Sequence, residues 1–208
     1  RQHGRYCRFL RKRYPRLEEY EKEIQRSLVR SRREEPLGFR LAYTAACEAI
    51  TGELSRFLFR RADRWFRDAD AHFAAMMLWH AAEEIEHKSV AFEVLEASGC
   101  GYGVRLGALV AAVRETLVDL DPIATYMLSV DGIGGAASSA RRLAFRADFV
   151  TAVAPRLIRY ALPRYDPSRD PDPPEALAWF RAHARRREQG EEACGANPRQ
   201  EQGLPLRK

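Results

Sequence analysis

The stretch Trp79-His80-Ala81-Ala82-Glu83-Glu84-Ile85-Glu86-His87-Lys88 carries the densest chemistry in the chain. Glu84 and His87 are three residues apart, and His80 precedes Glu84 by four. At about 3.6 residues per turn these three side chains lie along one stripe of a helix. A carboxylate and an imidazole at i and i+3 form the pair through which helices of four-helix bundles hold dinuclear metal sites. Hard divalent cations take carboxylate oxygens, and imidazoles complete the shell. Glu83 and Glu86 point elsewhere on the helical wheel and read as solvated residues. A surface ion pair is the plain alternative for Glu84 and His87. His80 suits a third ligand, a partner of a ligand, or a core histidine.

Such a site needs a carboxylate from a neighbouring helix, and Glu48 supplies the best candidate. It sits mid-helix among Tyr43, Ala45, Ala46, Cys47, Ala49 and Ile50. An unpaired charge buried there is costly, so Glu48 is expected to be a ligand or to touch one. Other signatures fail: the chain has no His-Glu-x-x-His and no Gly-x-Ser-x-Gly, which argues against zinc-protease and serine-hydrolase chemistry. His72 and His183 read as surface histidines.

The elements that must position these residues are helical almost throughout, since no run alternates with period two. Residues 1–14 read as the tail of a helix, and Pro15 opens a charged helix to about Arg33. The metal-site helices are expected at about 36–66 and 69–98, the second capped by Asp68 or Asp70 and ended at Ser98-Gly99. A further helix fills 102–120, with a break or restart at Asp121-Pro122. The last long helix, about 138–161, contains Pro155, which is expected to kink or divide it. An extended, proline-dense connector over 163–174 leads to a short helix anchored by Trp179 and Phe180. Residues 1–188 are expected to form a single helical domain, and 189–208 a disordered tail.

Bulk properties narrow the classes. With 208 residues, 46% hydrophobic and 31% charged, the chain suits one sizeable core. The net charge of +6 is spread over arginines interleaved with glutamates, as in Glu18 to Arg33. That pattern fits a solvated helix surface and argues against nucleic acid as a partner. Cys7, Cys47, Cys100 and Cys194 form no CxxC pair, so a reducing cytoplasm is the expected location. The most apolar run, Leu106 to Val113, is too short to span a membrane. The chain starts at Arg1 as if inside a helix, so a fragment of a longer protein is expected.

The block Trp79 to Phe92 closely resembles the signature of a bacterial family described as predicted metal-dependent hydrolases. Tyr43 to Thr51 is similar to that family's upstream glutamate helix, and Gln2 to Tyr6 to the end of its first Glu-x-x-His element. A weaker likeness at Tyr160 to Pro167 extends the resemblance over roughly residues 1–170. It implies an all-α, ferritin-like helical bundle, partial here because the first glutamate helix is missing, with additional C-terminal helices. In the family an early Glu-x-x-His is followed four residues later by another histidine. Here His3 keeps the first imidazole, its glutamate would precede Arg1, and Cys7 takes the place of the second. The implied metal residues are therefore Glu48, Glu84 and His87, with His80 and His3 as further candidates.

The implied activity is hydrolysis of a small molecule by metal-activated water, with iron the expected metal and manganese or zinc the alternatives. Glu/His bundles also activate O₂, so a di-iron oxidase or oxygenase is the second reading. A third is a truncated, non-catalytic helical interaction protein. A homodimer in which each copy gives Glu48 and Glu84-x-x-His87 would rebuild a four-helix site.

Overall fold

The computed structural model describes residues 2–188 except Lys88 and Asp119, with side chains from Cys7 to Ala182 except those two and Glu86. The expectation for 189–208 lies outside the described residues. No strand occurs among the described residues, and the all-α reading holds. The chain forms two compact units, Arg1–Ala46 with Leu95–Thr151, and Cys47–Val94 with Ala152–Lys208.

The first unit contains α1 (Gln2–Arg13), α2 (Leu17–Glu34), the opening of α3 (Leu37–Arg60), α7 (Tyr102–Val118), α8 (Leu120–Val130) and most of α9 (Gly135–Tyr160). The α1–α2 corner at Pro15 is fixed by aromatic and charged contacts. Tyr14 is buried, its hydroxyl donates to Asp131 Oδ2 at 2.9 Å, and its ring meets Tyr126 edge-on. Arg13 adds an ion pair to Asp131 at 2.8 Å. Asp131 opens the loop after α8, where Gly132 has φ +77°, a left-handed turn that favours glycine. Asp121, beside Pro122 in the first turn of α8, accepts from Arg142 at 2.5 Å and Arg146 at 2.7 Å. The Tyr43 hydroxyl donates to Glu115, tying α3 to α7. Gly38 admits the Cys100 sulfur so closely that an added Cβ would lie 3.3 Å from it.

The second unit contains the rest of α3, α4 (Ala62–Trp65), α5 (Ala71–His87), the start of α6 (Val90–Ala97), the end of α9 and α10 (Pro174–Glu188). The expected 36–66 span contains α3 and α4, which part at Arg61, where the backbone leaves the helical region (φ −123°, ψ 19°). Asp70 is the cap of α5: its Oδ1 accepts from the backbone N–H of His72 at 3.0 Å and Phe73 at 3.1 Å. The expected 69–98 span contains α5 and α6, with Lys88 between them outside the described residues.

Leu78, Ala81, Ala82 and Ile85 form the buried line of α5 and pack with Phe59 of α3 and Ala176 of α10. Trp179 and Phe180 of α10 close this cluster, as their pattern predicts. Phe92, Tyr160 and Tyr165 make a second aromatic cluster, with centroids 5.1 to 5.9 Å apart.

Two expectations are narrowed by the structure. Of a kink or a division at Pro155, division does not occur: α9 runs through it as one helix. Proline removes one intrahelical hydrogen bond, and the burial of Val153 and Tyr160 on either side holds the helix against that loss. The connector over 163–174 is not simply extended. It contains a 3-10 turn at Pro167–Arg169, where Asp166 accepts from the backbone N–H of Ser168 at 3.0 Å.

Candidate metal centre

The candidate residues lie in the second unit, on two helices. α3 contributes Glu48, and α5 contributes His80, Glu84 and His87. Because α5 spends its small and aliphatic residues on the line from Leu78 to Ile85, its polar stripe falls on another face. Glu84 is the sheltered member of that stripe: its side chain is 19% exposed, while His80 before it is 41% exposed and His87, the last residue of α5, is exposed. His80 Nε2 stands 3.6 Å from Glu84 Oε1, within ion-pair range and just beyond hydrogen-bond length. His80 is thus not a core histidine.

Glu48 is half-buried among the alanines of α3, with Ala45, Ala46 and Ile50 fully covered. Its Oε2 is buried and has no hydrogen-bond partner among the described residues. Its carboxyl titrates above the usual range: burial is the main cause, the like charge of Glu84 adds to it, and His87 partly offsets both. Glu84 and His87 of α5 therefore both bear electrostatically on Glu48 of α3. No side chain in that group supplies the full positive charge that two carboxylates need.

Among the described residues, no three His, Cys, Asp or Glu side chains converge closely enough to hold a metal ion as they stand. The donor chemistry nonetheless suits a divalent cation. An orphaned carboxylate oxygen is the atom such an ion would satisfy, and hard oxygen ligands beside an imidazole match it. His3 lies in α1 with its side chain outside the described ones. His3 and Cys7 belong to the first unit. Cys7 is half-buried and in no disulfide. A cavity of about 520 Å³ runs along the basic face of α2 and includes no candidate ligand.

One group near the site escaped the sequence reading. Glu53, farther along α3, accepts ion pairs from Arg56 at 3.4 Å and Arg156 at 3.2 Å. Arg56 also donates to the Pro171 carbonyl at 2.8 Å, and Arg159 pairs with buried Asp170 at 2.8 Å. Glu53-x-x-Arg56 in an apolar helix was the available signal. Its distant partners had none.

The described residues form an all-α chain with a half-buried carboxylate on α3 and a carboxylate and two imidazoles on α5. The chain belongs to the family described as predicted metal-dependent hydrolase, whose match runs over residues 1–170. That membership implies a divalent metal. Neither the curated proteins nor the solved structures contain a match. Among the described residues no helix is long and apolar enough to cross a membrane.

Proposed function

We propose that the chain is a metal-dependent hydrolase in which Glu48, Glu84 and His87 hold a divalent cation between α3 and α5. The observation that carries this reading is the buried, unpartnered Oε2 of Glu48 in the field of a second carboxylate. A cation there relieves the burial cost and the repulsion together. When bound, the ion supplies Lewis-acid activation of water or of a carbonyl oxygen near neutral pH. Glu48 and Glu84 would bind it through oxygen and His87 through nitrogen. His80, beside Glu84, would orient that carboxylate and is placed to accept or release a proton at Nε2. In its fuller form the proposal has a dinuclear site with iron as the preferred metal, acting on a small-molecule ester or amide.

Metal content of the purified chain, wild type against Glu84→Ala, tests the assignment. The wild type is expected to retain metal and the variant to lose about nine-tenths of it. Full retention by the variant would mean that the ligands lie elsewhere.

The second reading, O₂ activation at iron, draws on the carboxylate-rich donor set. Iron-loaded protein that oxidises on exposure to O₂ supports it. Metal inert to O₂ together with ester turnover supports hydrolysis.

A further inference from the structure

α2 leaves its contacts early. Leu17 is buried and Tyr20 half-buried against Tyr126, but every residue from Lys22 to Arg30 is exposed. That stretch includes Ile24 at 46% and Leu28 at 56% exposure. Leu17, Tyr20, Ile24, Leu28 and Ser31 advance in steps of three and four, so they form one stripe of the helix. Helices of this length draw most of their stability from packing an apolar face, and the described residues leave the Ile24 and Leu28 part of this stripe about half exposed.

The charge along α2 is divided into halves. From Leu17 to Ile24 four glutamates accompany Lys22 alone, and from Gln25 to Glu34 four arginines accompany Glu34 alone. A helix acidic at one end and basic at the other complements itself when reversed.

We propose that α2 binds the α2 of a second copy of this chain, antiparallel, about a two-fold axis midway between Ile24 and Leu28. In that register Ile24 of each copy meets Leu28 of the other. On one flank of the stripe Glu21 of each copy faces Arg32 of the other, so the two-fold axis makes that complementary contact twice. Glu21 pairs with Arg11 in its own chain, but both groups are more than a third exposed, so that pair exchanges readily. A parallel arrangement sets like-charged halves side by side, so charge alone selects the antiparallel one. A single helix pair about 27 Å long makes a contact at the low end of specific interfaces. The dimer is therefore concentration-dependent.

Sedimentation velocity of the whole chain over a wide concentration range tests the pairing. The expected result is a monomer–dimer equilibrium, weakened about a hundredfold by Leu28→Glu. Arg32→Glu sets two like-charged contacts in place of two complementary ones and weakens the dimer about tenfold. Combining Arg32→Glu with Glu21→Arg tightens association back toward wild type, because the complement is re-formed in reverse. Leu28 and Arg32 are exposed and Glu21 is half-buried, and circular dichroism checks that each variant keeps its helix content. A chain monomeric at every concentration overturns the proposal, as does a dimer insensitive to Leu28→Glu or a double variant no tighter than the single one.

Discussion

Glu48 and Glu53 sit on the same helix about 7.5 Å apart along its axis. Both are taken out of water, and burial raises both carboxyls. Glu53 is answered by Arg156 and Arg56, whose charges pull it back. Glu48 meets another carboxylate and only an imidazole on the favourable side. The chain thus compensates Glu53 with its own cations, while no described cation answers Glu48. That difference separates a carboxylate that holds the fold from one that, in the function proposed above, would be answered by a metal ion.

The comparison breaks most visibly at Glu53. Glu53→Ala leaves Arg56, whose side chain is only 3% exposed, without its charge partner. The expected loss is about 3–5 kcal/mol in denaturant unfolding. A loss under about 1 kcal/mol would show that Glu53 has no such role. His80→Ala comes next: metal retention should weaken about tenfold with the fold intact, since the imidazole only steadies Glu84. Retention unchanged in competition with a chelator would remove His80 from the site.

Glu48→Gln should separate the two acids most cleanly. Stripped of metal, the variant should be as stable as wild type or up to about 1 kcal/mol more so, because a buried charge and a repulsion are removed. It should also fail to retain metal. A loss of several kcal/mol in the metal-free protein would place Glu48 with Glu53 as a structural acid. The smallest effect concerns Tyr165, next to the Glu53 network. Burial, then the charges of Asp170 and Glu53, push its hydroxyl up to about 12. Unfolded tyrosine titrates near 10, so the folded state binds the proton more tightly. Stability is therefore retained below about pH 10 and falls as pH rises toward 12. Tyr165→Phe should flatten that part of the alkaline denaturation curve, and an unchanged slope would disprove the linkage.

Much of this was readable from residue order because the determinants are local. Spacings of three and four placed His80, Glu84 and His87 on one stripe, and of the two cap candidates Asp68 and Asp70 the structure selects Asp70 at the start of α5. The apolar surroundings of Glu48 foretold a buried oxygen. What stayed hidden depends on partners far along the chain. Arg156 and Asp170 lie more than a hundred residues from Glu53, and no periodicity links them. α2 was hidden for the opposite reason. Its mixed charges suggest an ordinary wet surface, and only the fold shows that Ile24 and Leu28 are left uncovered. Pro155 shows that packing on both sides can override a strong local rule.

The uneven exposure along α5 would set the exchange kinetics of any ion held there. Glu84 is sheltered and the imidazoles before and after it are more open, so an ion would enter and leave past an imidazole first. Loading should keep pace with mixing, and a chelator should strip the site from the folded chain within seconds, making occupancy follow the surrounding metal supply.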